Sequence, residues 1–296
     1  MTLIESNNWV FLSLLSAFTL ATSDAMTKKV LSKGNEYLTA WFRLLFSLPL
    51  LIILLMFIPI PKTDGIFFRA FAIALPLEII AIIFYTKALH LSPLSLTLPF
   101  LSLTPVFLIL ISLFILGERV SLMGGAGILL IAAGGYLLNL HNMKKGFFEP
   151  LKNIRQEKGS LCMIIVALIY AFTSSFGKLA IEHSSPLYFG ILYYLALSIA
   201  FIPIALWRQK GMLRRFIAEG SMKKMIFPGI CYSIMVIAHM TAISMTKVAY
   251  MISLKRTSLL IGVLYGYFMF GELNIRERFA GASLMFAGFV LIVTAS

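Results

Sequence analysis

Most of this 296-residue chain is built from apolar stretches with few charges, each about as long as a bilayer is thick. A helix of about 20 apolar residues crosses the hydrocarbon core. Such stretches run near 9–28, 38–57, 67–89, 94–116, 121–140, 159–180, 186–207, 222–245, 249–270 and 279–295. Only a helix satisfies all of its own backbone groups in lipid, so each stretch is predicted to be helical. The period-two alternation of an outer-membrane barrel is absent. The expected fold class is all-α and integral to the membrane, with ten transmembrane helices. Composition agrees, because 60% hydrophobic and 12% charged residues, with a mean hydropathy of +0.94, leave too little polar surface for a water-soluble chain.

The second half repeats the first. At an offset of 154 positions, Ala17-Phe18-Thr19 recurs as Ala171-Phe172-Thr173, and Gly117-Glu118 as Gly271-Glu272. Gly127 recurs as Gly281, and Ala133-Gly134 as Ala287-Gly288. Two copies of five spans must lie in the membrane with opposite orientations. That plan belongs to carriers whose site lies near the midplane, where the copies meet. The expected organisation is a five-helix repeat over 1–140, a cytoplasmic linker over 141–158, and an inverted five-helix repeat over 159–296. Gly127 and Gly134, like Gly281 and Gly288, share one helix face, which lets another backbone approach closely. The partner is either the other copy or a second protomer, so the chain is expected as a monomer or homodimer.

The net charge of +13 suggests nucleic acid until the charges are located. Lys28 and Lys29, the Lys144–Lys158 linker, the Arg208–Lys224 loop and Arg278 fall on connections that share one side of the membrane. Lys62, Arg69, Arg119, Lys178 and Lys247 are the bases left on the other. Short basic loops stay in the cytoplasm. The 5–6 and 7–8 loops are therefore expected inside the cell and both termini outside, in a multi-pass protein of the inner (plasma) membrane. The same bases favour anionic lipid headgroups, so the expected partners are membrane lipids and a small-molecule substrate, with no nucleic acid. The Arg208–Lys224 loop reads as a short basic amphipathic piece on the membrane surface. Trp9, Trp41 and Trp207 sit near span ends, as interfacial anchors do. The first span has no basic residue before it and carries the repeated Ala-Phe-Thr, so it reads as a permanent helix and not a cleaved leader. Cys162 and Cys231 lie inside apolar spans with no metal-ligand spacing, so no metal and no cofactor are expected.

Ionisable side chains inside spans are costly and mark function by default. Asp24 in the first span and Arg43 in the second share a depth. Their ion pair either opens as the site changes access or simply fixes two helices. Glu78 lies close to the bilayer centre, two positions after Pro76, where a proline permits a local break. It suits proton coupling, or is neutralised by a neighbouring base. Lys255 and Arg256 are consecutive and cannot both face lipid, which makes them the leading substrate contacts. The alternative has Lys255 snorkelling to the interface while Arg256 pairs with Glu78. Their repeat mates, Leu101 and Ser102, lie between Pro99 and Pro105, so the fourth span is predicted to be interrupted there.

His239 and Lys178 fall in the same half of the membrane, His239 as a relay or a hydrogen-bonded core residue and Lys178 as a gate or coupling residue. Tyr85, the repeat mate of His239, and Tyr193 are ranked as path-lining contacts above Tyr194, Tyr250 and Tyr265, whose places near span ends suit the interface. Glu118 and Glu272 are read as structural caps, each accepting from backbone N–H groups that open the next helix.

The duplication, the Gly-Glu pairs, the Gly-containing span after each pair and the element Ala40-Trp41-Phe42-Arg43 resemble the drug/metabolite transporter superfamily, and within it the EamA-type ten-span carriers. The resemblance covers the whole chain. It implies a secondary carrier or exchanger of small metabolites, driven by protons or another gradient. Many ten-span relatives keep both termini inside, whereas the basic residues here argue the reverse. The electropositive half around Lys255 favours an anionic or carboxylate-bearing, amino-acid-like cargo. A flippase for a lipid-linked head group is the alternative. The chain carries no HExxH, GxSxG or GxxxxGK[ST] element, so it is read as neither an enzyme nor an ATP-driven pump.

Overall fold

Where the sequence runs apolar, the chain coils. The computed structural model describes residues 8–31, 35–91, 98–140, 158–209, 211–271 and 275–296, and among these the regular structure is helical throughout. The first repeat holds α1 (Asn8–Lys28), α2 (Glu36–Leu55), α3 (Gly65–Leu91), a 3-10 segment (Leu98–Leu103), α4 (Thr104–Leu116) and α5 (Leu122–Leu140). The second holds α6 (Lys158–Glu182), α7 (Pro186–Arg208), the short α8 (Met212–Ala218) and α9 (Ser221–Lys224), and then α10 (Ile226–Met245), α11 (Val248–Lys255), α12 (Ser258–Phe270) and α13 (Ile275–Ala295). Seven helical stretches among the described residues are long and apolar enough to cross a membrane. The stretches Phe100–Leu116, Leu122–Leu138 and Phe279–Ala295 are apolar but shorter. The protein is a multi-pass membrane protein.

Apolar side chains fill the core, as in a soluble domain, but they cover the outside as well. Phe11, Phe57, Phe114, Leu122 and Phe268 point outward, where lipid solvates them, while Ser13, Ser47, Ser112, Ser175 and Ser233 are buried. Small hydroxyl side chains allow close packing and bond carbonyls of their own or a neighbouring helix. Ser23 Oγ donates to Pro228 O at 2.9 Å and Ser233 Oγ to Ser47 O at 2.8 Å, tying α10 to α1 and α2. Trp207 is 71% exposed, as an interfacial anchor requires, but Trp9 is only 3% exposed and packs into the core.

The repeats lie upside down to one another. A methyl group at Gly127 would stand 2.8 Å from Gly288 O, and one at Gly134 would stand 2.6 Å from Gly281 O. Residue number rises along α5 as it falls along α13, so the two helices are antiparallel. The contacts 127–288 and 134–281 exchange under the 154-residue offset, which places this crossing on the pseudo-two-fold axis. The glycine face therefore meets the other copy. The other extensive interfaces, α3 with α6 and α1 with α10, are likewise mates of one another.

The break in the fourth span falls where the prolines predict it, with 3-10 geometry over Leu98–Leu103 and Pro105 in the first turn of α4. The ninth span breaks at Arg256–Thr257 with no proline nearby. Both half-helices that follow have 13 residues, and both end at a glycine in the left-handed region, Gly117 (φ 70°) and Gly271 (φ 64°). Glycine closes a helix there without a Cβ clash, which is the local reason for the first residue of each Gly-Glu pair. Pro76, by contrast, does not interrupt α3, which runs unbroken from Gly65 to Leu91.

Candidate functional site

The two broken spans bring their breaks together. Lys255 ends α11 and Arg256 occupies the turn. Arg256 Nη2 donates to Thr104 Oγ1 at 2.7 Å, at the first residue of α4. The Nε of Arg256, though buried, has no hydrogen-bond partner among the described residues. Lys255 Nζ lies 3.2 Å from His239 Nδ1 and 3.3 Å from Met235 Sδ on α10, so it is turned inward and does not snorkel.

Two carboxylates lie within electrostatic reach of Lys255. Glu78, midway along α3, lies within electrostatic reach of Lys255 and of the Thr173 hydroxyl of α6, which itself donates to Tyr170 O at 3.4 Å. Asp24 of α1 accepts from Arg43 Nη1 of α2 at 2.6 Å and also lies within reach of Lys255. Lys255, and not Arg256, is thus the base that Glu78 and Asp24 share. The Arg43 guanidinium stands 4.7 Å over the Tyr232 ring, a cation–π contact that joins α2 to α10.

Tyrosines wall the cluster. Tyr85 and Tyr170 lie near Arg256. Tyr193, Tyr194 and Tyr232 form an edge-to-face series with centroids 5.9 and 5.7 Å apart. The Tyr193 hydroxyl donates to Ala74 O at 3.1 Å, two residues before Pro76. Charged and aromatic groups from α1, α2 and α3 of one repeat and α6, α7, α10 and α11 of the other thus converge at the repeat interface. Glu78, Tyr85, Tyr193, His239, Lys255, Arg256, Asp24 and Arg43 all belong to this assembly. Tyr170, Thr104 and Tyr232 belong to it as well and were not singled out in the sequence, and Thr173 was noted only as part of the repeated Ala-Phe-Thr. A signal existed for Tyr232, which stands 154 positions after Glu78.

Lys178 stands apart from these groups. Its Nζ bonds Glu118 Oε1 at 2.5 Å and Thr246 O at 2.6 Å, with Glu182 at 4.0 Å. Glu118 Oε2 accepts from Val248 N at 2.9 Å. Glu118 therefore caps the start of α11 in the other repeat, not the next helix as its sequence position suggests. The short loop after Gly117 aims the carboxylate sideways at α11, and α5 begins only at Leu122.

The same end is closed by Tyr250, fully buried against Gly124, whose hydroxyl lies 3.2 Å from Ser121 N and 3.1 Å from Ser121 Oγ. Rings of Phe67, Phe71, Phe189 and Tyr193 pack edge-on against one another between α3 and α7. Tyr265, at the far end, bonds Thr22 at 2.8 Å. Glu272 lies outside the described residues. So do the side chain of Pro99 and nearly all of the 141–158 linker.

The EamA-like transporter family matches the chain twice, over residues 7–140 and 157–294. A solved crystal structure superposes with a TM-score of 0.77 at 16% identity, covering 99% of this chain and 98% of that one, a likeness of fold. No curated protein sequence matches. Matched in both halves, the chain belongs to the EamA-like transporter family.

Proposed function

We propose that this membrane transporter is a secondary carrier that moves a small anionic or carboxylate-bearing metabolite by alternating access, coupled to protons. The observation that carries the reading is the gathering of Glu78 and Asp24 of one repeat within electrostatic reach of Lys255 of the other, beside Arg256 at the same helix break. Irregular backbone at membrane depth is tolerated where it lines a site. Arg256, with a donor to spare, takes the cargo carboxylate in a charge-assisted hydrogen bond. Lys255 turns toward the same anion and away from Glu78 and Asp24. A carboxylate deprived of its counter-charge at that depth takes up a proton, and that exchange couples the two movements.

Access is asymmetric. The Lys178–Glu118 end is closed, whereas the Asp24 side chain remains 56% exposed. With the 5–6 and 7–8 loops in the cytoplasm of an inner-membrane protein, the accessible end faces inward. The repeats over 1–140 and 159–296, joined by the cytoplasmic linker 141–158, rock against each other about the α5–α13 crossing. The chain moves its cargo without making or breaking covalent bonds.

Purified protein in proteoliposomes with an imposed pH gradient tests this, using a panel of labelled carboxylates. One or more should accumulate. Glu78→Gln should abolish the response to the gradient while the protein stays folded, and Arg256→Ala should weaken carboxylate binding roughly tenfold to a hundredfold. Wild-type coupling in Glu78→Gln, or unchanged affinity in Arg256→Ala, removes that residue from the mechanism.

A further inference from the structure

The basic segment between α7 and α10 has no part in the transport cluster, yet it is strapped to it. Gln209 Oε1 accepts from Leu38 N at 2.8 Å, and Gln209 Nε2 donates to Glu36 Oε2 at 3.2 Å, so the segment holds the first turn of α2. The Phe216 ring of α8 stacks on Phe42 at 5.2 Å and 7°. Phe42 is the neighbour of Arg43. Beneath the segment Phe216 and Met225 are buried with Val30, Leu38, Phe201 and Ala205, the ends of α1, α2 and α7.

The outer face has the opposite chemistry. Arg214, Arg215, Lys223 and Lys224 are exposed. Glu219 is the one acid between Trp207 and Lys224, and it is taken by Arg215 at 2.7 Å. Exposed Trp207, Ile217 and Phe227 flank the bases. Bases beside apolar side chains, on a segment joining two membrane helices, match a surface of acyl chains edged with phosphates.

We propose that this segment is a binding site for anionic phospholipid headgroups, with Arg214, Lys223 and Lys224 holding the phosphate and Trp207, Ile217 and Phe227 resting in the acyl boundary. A bound lipid clamps the first turn of α2 and so steadies Arg43 against Asp24. The charge balance favours a lipid surface over an acidic protein segment, because the apolar flank would otherwise remain in water.

Native mass spectrometry of the full chain, taken from bilayers of equal phosphatidylglycerol and phosphatidylcholine, tests the site without reference to transport. Wild type should retain phosphatidylglycerol preferentially. Each base near the surface is worth roughly a fivefold preference, so the variant Arg214→Gln/Lys223→Gln/Lys224→Gln should lose at least tenfold of it. Glu219→Gln, which leaves the bases intact and frees Arg215, should raise retention and serves where the triple variant does not fold. An undiminished preference in the triple variant overturns the proposal. So does equal retention of both lipids by wild type, or lower retention in Glu219→Gln.

Discussion

The two ends of the molecule place charges at matching repeat positions and use them differently. Lys178 and Asp24 are 154 residues apart, yet one is a base and the other an acid. Lys178 is buried in a pair whose side chains are 9% and 10% exposed, and two backbone groups complete the network. Asp24 meets Arg43 in a pair left 56% and 23% exposed. The pseudo-symmetry of the backbone therefore does not extend to these ion pairs. At one end a buried ion pair, completed by two backbone groups, ties α4 and α6 to the start of α11. At the other end the pair is more exposed, lies within one repeat and is steadied by Tyr232 of the other.

That contrast sets the scale of what substitutions do. Removing one partner of a buried pair leaves an uncompensated charge, at a cost of about 3–5 kcal/mol. Lys178→Met should lower thermal stability in detergent by that order. Asp24→Asn, in a pair whose acid is 56% exposed, should lower it by less than Lys178→Met does, while still impairing transport. Equal losses at the two sites would erase the distinction between them. Next in size is the pivot between the ends. Gly134→Ala places a methyl 2.6 Å from Gly281 O, and overpacking of this kind costs about 1–3 kcal/mol. An unaffected unfolding midpoint would mean that α5 and α13 are not in tight contact.

The smallest effect belongs to Asp64, at the closed end. Its carboxyl is held below the usual carboxylate value chiefly by the Phe67 N–H, with His183 and the Ile66 N–H adding to it. Asp64 Oδ2 also lies 2.8 Å from His183 Nδ1, which joins the start of α3 to the end of α6. A depressed carboxyl contributes stability that is full above its unfolded value and lost as the pH falls through its folded one. Wild type should therefore lose a little more stability than Asp64→Asn as the pH drops below about 4. Acid titrations of the two proteins that superimpose would remove Asp64 from the closed end.

Much of the architecture was legible because the physics of lipid is blunt. Apolar length located the long helices, though not the short basic α8 and α9, and the odd-numbered duplication implied the inversion now seen in the reciprocal contacts of Gly127 with Gly288 and Gly134 with Gly281. Pro99 and Pro105 pointed to the break in the fourth span. The break at Arg256–Thr257 carries no proline, but the offset maps it onto Ser102 and Leu103, so it was readable through its mate. The partners within the site were less so. Whether Glu78 meets Lys255 or Arg256, and whether Glu118 caps its own repeat or the other, depends on how each helix is rotated. In a chain whose helices are apolar nearly all round, no polar face announces that rotation. Pro76 misled for a related reason, since α3 accommodates it without a break and the interruptions fall elsewhere.

The measurement that bears most directly on an alternating site is one-sided labelling of the cluster. Tyr85→Cys in a protein lacking Cys162 and Cys231 would be treated, in oriented membranes, with an impermeant thiol reagent on one face at a time. With the Lys178–Glu118 pair intact, the thiol should react from the face that carries the linker and be protected from the other. With Lys178→Met added, reactivity should appear at the opposite face. Reaction from neither face in both proteins, or from both faces in each, would contradict a carrier that opens one end at a time.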